Sequence, residues 1–194
     1  MHRFYVEHPA SAGKTAVLSP EESAHAARVL RLRPGEEIVL LDGQTLWSAK
    51  LEVVNDRACE ARVLSALPSP EPCAKVTLIQ GLPKSDKLEW IVQKATELGV
   101  SSIGVFGSKY CAAYLTPSKL ERLNKVAREA TKQCMRSVAP SVEIFEKFED
   151  ALASCGDYQN KLFACEFERN SQADMRKLSG STALVVGSEG GFAE

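Results

Sequence analysis

No stretch of this 194-residue chain holds the roughly eighteen uninterrupted apolar residues that a membrane-spanning helix needs. The opening Met1-His2-Arg3-Phe4-Tyr5 lacks the apolar core of a secretory signal, so a cytoplasmic protein with no membrane partner is expected. Histidine is scarce: His2, His8 and His25 are the three, and no serine or cysteine motif marking a nucleophile accompanies them, so no catalytic triad is legible. The six cysteines, at 59, 73, 111, 134, 155 and 165, form no C-x-x-C pair and have no histidine spacing suited to zinc. Neither a metal site nor a disulfide framework is expected, and the thiols read as free and buried. A charge excess is also missing, since 24 Lys and Arg stand against 25 Asp and Glu. That excludes a globally basic protein, but it does not exclude segregation of charge along the chain. What is present, 44% hydrophobic residues, is ordinary for a globular protein with a sizeable core.

Proline and glycine punctuate the chain unevenly. Residues 66–74, Ala-Leu-Pro-Ser-Pro-Glu-Pro-Cys-Ala, carry three alternate prolines and read as an extended spacer. Before it, β-type runs fall at Arg3–Val6, Glu37–Asp42, Thr45–Val54 and Ala58–Ser65, with Asp42-Gly43 as a hairpin signal. One helix interrupts them. Ser19-Pro20-Glu21-Glu22 has the form of a capping box, Ala24, Ala27 and Leu30 follow, and Pro34-Gly35 ends it. His25 lies within that apolar spacing and reads as a packing histidine. A small β-barrel-like unit is expected here. After the spacer, strand-like runs at Val76–Gln80, Val100–Phe106, Val142–Phe145, Leu162–Cys165 and Ala183–Gly187 alternate with helical stretches. Such alternation predicts an α/β fold with a parallel sheet. Asp86 and Glu89 fit a helix cap, followed by the stripe Leu88, Ile91, Val92, Ala95 and Leu98 up to Gly99. Thr116-Pro117 opens a second helix, with Leu120, Leu123, Val126, Ala127, Ala130 and Cys134 on its apolar side. Shorter helices are expected over Glu149–Ser154 and Ala173–Leu178. Trp47, Trp90, Phe106 and Phe192 read as core or core-edge aromatics.

Two features bear on chemistry. Gly187-Ser188-Glu189-Gly190-Gly191 follows an apolar strand, so the turn would lie at the carboxyl edge of a parallel sheet, where open α/β folds hold ligands. A plain tight connection fits the local pattern equally well. The spacing is not the dinucleotide fingerprint, and a generic nucleotide-binding enzyme fails on that count. Glu189 would orient a ligand or brace the loop. The second feature is charge: from Pro117 to Val138 six cations oppose two acids, and Lys125, Arg128, Lys132 and Arg136 follow helical steps of three and four. Lys84, Lys87 and Lys94, and in the first unit Arg28, Arg31 and Arg33, add further clusters. A solvated face and a phosphate-binding surface are both compatible with such a stripe.

Four ordered motifs then make the chain resemble a known family. They are His25-x-x-Arg28-Val29-Leu30-Arg31 with Gly35 and Asp42-Gly43; Lys94-Ala95-Thr96-Glu97-Leu98-Gly99; Glu129-Ala130-x-x-Gln133-x-x-Arg136-x-x-x-Pro140; and Gly187-Ser188-Glu189-Gly190-Gly191-Phe192. Together they resemble the bacterial ribosomal RNA uridine-N3 methyltransferases acting on small-subunit RNA. The resemblance implies a PUA-like β-barrel over residues 1–67, a proline-rich linker over 68–74 and a SPOUT α/β-knot methyltransferase domain over 75–194. It also implies S-adenosylmethionine as cofactor, a homodimer, and small-subunit ribosomal RNA as partner, free or within the assembled subunit. By position, Arg136 would stabilise anionic charge on uracil, and Gly187, Glu189, Gly190 and Gly191 would shape the cofactor loop. Arg28, Arg31, Lys84, Lys87, Arg128 and Lys132 would hold RNA phosphates. The usual Gly-Pro-Glu-Gly-Gly-Phe carries Ser188 at its second position here. Family members continue for several dozen residues past this motif, so the resemblance implies a methyltransferase domain truncated at its C-terminus, in which knot closure is not assured. A rival reading is a non-catalytic RNA-binding and dimerisation module.

Overall fold

The structure is a computed structural model that describes residues 1–83, 87–107, 116–164 and 178–191. It divides into two compact units, Met1–Glu71 with Met135–Val138, and Pro72–Cys134 with Ala139–Glu194.

The first unit is built on five strands: β1 (His2–Tyr5), β2 (Thr15–Val17), β3 (Glu37–Leu41), β4 (Leu46–Val53) and β5 (Glu60–Ala66). Their order is β1-β3-β4-β5-β2, with β1 parallel to β3 and the other pairs antiparallel. Four strands lie where the alternation placed them; β2, three residues long, is too short for a period of two to register. Strand β3 reads as a continuous apolar run because both of its faces are covered. Ile38 and Leu40 pack with Phe4, Leu18 and Leu51, while Val39 and Leu41 pack with Tyr5 and Leu46.

Helix α1 (Pro20–Ala24) starts as its sequence predicts, with the Ser19 hydroxyl accepting from the Glu22 amide at 3.3 Å. It then widens into a π-helical turn over His25–Val29, closed by the Leu30 amide donating to the His25 carbonyl at 3.0 Å. The extra residue per turn rotates the buried face. Ser23 and Ala26 are buried, and His25 is exposed, touching Phe4 edge-on. The expected packing histidine is therefore corrected to a surface one. Ser23 also donates to the Leu18 carbonyl and accepts from the Cys59 amide, which ties the helix to the start of β5.

The second unit holds an all-parallel sheet in the order β8-β7-β6-β10-β9, made of β6 (Val76–Gly81), β7 (Ser102–Phe106), β8 (Ser141–Phe145), β9 (Asn160–Ala164) and β10 (Thr182–Val186). Helices α2 (Lys87–Glu97) and α3 (Pro117–Gln133) bury Leu88, Val92, Leu123 and Ala127 against Leu78, Ile103, Val105 and Val142. Helix α4 (Phe148–Ala153) joins a second core in which Ala151 and Cys155 meet Ile79, Phe106, Ala183 and Val185. Apolar layers flank the sheet on both sides, so its strands read as unbroken apolar runs. Trp90 and Leu98, expected in the core, are 62% and 84% exposed. Trp90 lies on the outer side of α2, and Leu98 lies beyond the last residue of that helix, where Gly99 at φ +94° turns the chain. Asp86, Phe192, Cys111, Cys165 and most of the helix expected over 173–178 lie outside the described residues.

Residues 67–75 carry neither helix nor strand, yet they are not a free spacer. The Glu71 carboxylate is captured by the turn Met135–Val138, and a Cβ added at Gly99 would meet the Pro72 ring at 2.7 Å.

Candidate functional site

Strand β6 is followed in sequence by strands lying on one side of it, whereas its other neighbour is β10. This reversal is a topological switch point, and the loops leaving the carboxyl ends of β6 and β10 face one crevice. The glycine loop 187–191 leaves β10 there. Its tightness comes from the Gly191 amide donating to the Ser188 carbonyl at 2.9 Å, with Gly191 at φ +66°. It lies directly on β6: a Cβ at Gly81 would be 2.7 Å from the Ser188 nitrogen and 2.9 Å from the Gly187 carbonyl carbon. The buried Gln80 amide Nε2 donates to the Gly81 and Gly187 carbonyls, both at 2.9 Å, and so locks the two strand ends together.

Glu189 is met by Lys87, the first residue of α2, at 2.8 Å. The pair is partly exposed, so its contribution to stability is small, about 0–1 kcal/mol. Its effect is to fix the position of the loop. Lys87 thus touches the loop carboxylate, and Lys84 lies outside the described residues.

Arg136 is not part of the α3 stripe. The helix ends at Gln133, Met135 takes φ +67°, and the chain direction changes before Arg136. The Arg136 side chain is 7% exposed; its Nε and Nη2 donate to Glu71 Oε2 at 3.0 and 2.7 Å. Glu71 Oε1 accepts from the amides of Ser137 at 2.7 Å and Val138 at 3.1 Å and from the Ser137 hydroxyl. Burial opposes the Glu71 charge, but the Arg136 guanidinium and these amides outweigh it and hold the carboxyl below its ordinary range.

The remaining cations divide. Lys132 is 14% exposed and paired with Glu129 at 3.0 Å, while Arg128 is exposed on α3. Lys125 lines an open groove of about 390 Å³ between α2 and α3 with Gln93, Arg122, Val126, Glu129 and Gln133, and Arg122 bonds Glu89 at 2.8 Å. In the first unit Arg28 is paired with Asp56, whose carboxyl the Arg28 hydrogen bond and charge hold below its ordinary range. Arg31 is exposed, with φ +53°. The described residues contain no cluster of three or more metal-binding side chains, and no described helix is long and apolar enough to cross a membrane.

Gln80 and Glu71 were not singled out by the sequence. Gln80 had a signal, being a polar residue beside a glycine at the end of the apolar run Val76-Thr77-Leu78-Ile79. Glu71 had none, because its partners lie 65 to 67 residues away.

Residues 69–194 match the family described as the RNA methyltransferase domain, and residues 18–64 match the RNA methyltransferase PUA domain. The ribosomal RNA small subunit methyltransferase E of Bacillus subtilis is 31% identical over 213 residues, covering 100% of this chain and 82% of its own length. That of Mycobacterium bovis is 32% identical over 203 residues, covering 98% of this chain and 76% of its own. Among solved structures, a ribosomal RNA small subunit methyltransferase E from Neisseria gonorrhoeae bound to S-adenosyl methionine superposes with a TM-score of 0.90 at 32% identity, covering 100% of this chain and 82% of that one. A protein from Legionella pneumophila in complex with bound SAM gives a TM-score of 0.86 at 26% identity, covering 99% and 81%. The mixed sheet accordingly lies in the PUA-like part that the motifs implied, and the parallel sheet lies in the RNA methyltransferase part. The chain belongs to the RNA methyltransferase family that includes ribosomal RNA small subunit methyltransferase E.

Proposed function

We propose that this chain catalyses S-adenosylmethionine-dependent methylation of small-subunit ribosomal RNA, with N3 of a uridine as the acceptor. The observation that carries the reading is the glycine loop clamped at the β6/β10 switch point, in a chain that aligns over its whole length with a relative solved with S-adenosyl methionine. Loop 187–191 offers backbone amides and carbonyls, one carboxylate and no cation of its own. That donor set suits a sulfonium-bearing nucleoside without phosphates better than a nucleoside triphosphate, and it disfavours the nucleotide-hydrolase reading. Gly187, Glu189, Gly190 and Gly191 would hold the cofactor, with Gln80 and Lys87 fixing the loop.

When bound, S-adenosylmethionine supplies an electrophilic methyl group. The protein has to position the acceptor nitrogen, exclude water and manage the single proton on uridine N3. Arg136 was expected to meet the anionic charge on uracil; in this proposal it serves instead as the anchor of Glu71, since Nε and Nη2 already donate to that carboxylate. Arg31 and Arg128, both exposed, act as phosphate-holding cations, and Arg28, Lys87 and Lys132 join them by exchanging their partners Asp56, Glu189 and Glu129 for phosphate, with Lys84 three residues before Lys87. The enzyme works as a cytoplasmic homodimer on small-subunit ribosomal RNA, free or within the assembled subunit. The family assignment over the whole chain favours the enzyme over a non-catalytic RNA-binding module.

Incubation with methyl-labelled S-adenosylmethionine and either naked small-subunit RNA or the assembled subunit tests this. Label at one uridine is expected, with a reverse-transcription stop there because N3 methylation blocks pairing. No label in either substrate, or label that leaves pairing intact, rejects it. Light scattering at the mass of one chain rejects the dimer.

A further inference from the structure

We infer that Trp90 is a stacking platform for an unpaired base of the RNA substrate, one that neighbours the acceptor uridine. The inference rests on the proposed function and deepens it. N3 of uridine lies on the Watson–Crick edge, so it is reached only outside a base pair, and the nucleotides around it lose stacking partners that a protein can replace. Trp90 is 62% exposed on the outer side of α2, and among the described residues its indole makes no hydrogen bond and no ring contact, whereas the exposed Phe163 packs edge-on against Phe148. The residues around the indole are held by one another. One turn further along, the Glu97 carboxylate accepts from Gln93 Nε2 at 2.9 Å and from Lys94 Nζ at 2.7 Å, and Glu89, beside Trp90, holds Arg122. Trp90 therefore presents a bare ring face in a fixed frame and forgoes the burial that an indole ordinarily gains. Its place on the helix points to the occupant. Lys87, which bonds Glu189 of the glycine loop, precedes Trp90 by three residues, so the two side chains leave the same side of α2 about one turn apart. Gln93, three residues further, opens the groove lined by Arg122 and Lys125, on the segment Pro117–Val138 where six cations oppose two acids. A polyanion is the charge complement of that segment, and every base carries the flat π-face that an indole stacks against.

The test compares wild type with Trp90→Ala and Trp90→Phe in the full chain, on whichever small-subunit substrate, free RNA or assembled subunit, wild type methylates. It measures RNA affinity across a salt series, S-adenosylmethionine affinity, the thermal midpoint and the mass by light scattering. Trp90→Ala is expected to lose roughly tenfold in RNA affinity. The log K against log salt slope stays at the wild-type value, because no cation is removed. Cofactor affinity, midpoint and mass also stay as in wild type, and Trp90→Phe regains most of the lost affinity. Annealing a short strand that pairs the nucleotides flanking the target uridine removes the difference between wild type and Trp90→Ala. RNA affinity that is unchanged in Trp90→Ala overturns the inference, as does a difference that persists after annealing or a phenylalanine variant as weak as the alanine one. A lower midpoint assigns Trp90 to the fold, and a halved mass assigns it to an interface between copies; either overturns the inference as well. If wild type methylates neither substrate, the functional reading falls and takes this inference with it; an active wild type beside an unaffected Trp90→Ala refutes the inference alone.

Discussion

The two units hold their irregular segments by different physics. In the first, carboxylates and side-chain amides gather backbone N–H groups. Asp42 accepts from Gln44, Thr45, Ala10 and the Trp47 indole, Asn55 from Arg57 and Ala58, and Glu71 from Ser137 and Val138. In the second, the glycine loop is held mainly by contact of backbone on backbone at Gly81 and by the neutral amide of Gln80, with one exposed ion pair at its rim. The first arrangement depends on charge and hence on pH. The second depends on shape and hence on the absence of a Cβ.

Removing a charge from the first unit should give the largest effect. Glu71→Ala leaves Arg136 buried without its partner and orphans two amides, so a loss of about 3 kcal/mol is expected, at the lower end for a broken buried pair because Glu71 is partly exposed. That corresponds to a drop of roughly 10 °C in the thermal midpoint. A midpoint within about 2 °C of wild type would place Arg136 free for the catalytic role first expected of it, and Arg136→Ala assayed for turnover would then decide.

Adding a methyl group to the second unit comes next. In Gly81→Ala the new Cβ meets the backbone of Ser188 and Gly187, which cannot move aside as a flexible side chain would. Strain of about 1–3 kcal/mol is expected, appearing chiefly as loss of S-adenosylmethionine affinity of tenfold or more by calorimetry. Unchanged cofactor binding would show that the loop is not held by close approach and would remove the contrast between the units.

Acid sharpens the comparison further. Burial opposes the Asp42 charge, but the Thr45 amide, the Trp47 indole and the Gln44 and Ala10 amides outweigh it, so its carboxyl, like that of Glu71, is held below the ordinary range. The unfolded chain therefore binds more protons than the folded one in this window. The stabilisation is complete above the ordinary carboxylate range, about pH 4–5, and is lost as pH falls through the depressed folded values. Denaturant midpoints measured from pH 7 to pH 3 should fall for wild type and fall less steeply for Asp42→Asn with Glu71→Gln. Parallel curves would assign the acid sensitivity to other groups.

Much of this arrangement was legible in the chain. Nine of the ten strands among the described residues and the helices over Lys87–Glu97, Pro117–Gln133 and Phe148–Ala153 follow from periodicity and capping, and the glycine loop was recognisable as a turn at a strand end. What stayed hidden is non-local or non-periodic. A one-residue widening of a helix at His25–Val29 leaves the apolar spacing almost unchanged while rotating the buried face from His25 to Ala26. Arg136 reads as one more surface cation because its burial is set by Glu71, far away in sequence. Trp90 reads as core because large aromatics usually are, yet the core side of α2 is already filled by Leu88, Val92 and Ala95.

The smallest expected effect separates strain from function. Met135, 60% exposed, leaves α3 at φ +67°, the same left-handed exit that Arg31 makes from its π-helical turn. Glycine there relieves about 1–2 kcal/mol of strain and gives back about 0.4–1 kcal/mol through the freer unfolded chain. Met135→Gly should therefore gain about 0.5 kcal/mol, one or two degrees in midpoint, with RNA affinity and its salt dependence unchanged. Arg31→Gly should match it in stability and differ in RNA binding, since Arg31 is among the proposed phosphate-holding cations. If Met135→Gly melts lower instead, its side chain supports the adjoining Glu71 clasp, and the Met135 turn is then shaped by packing.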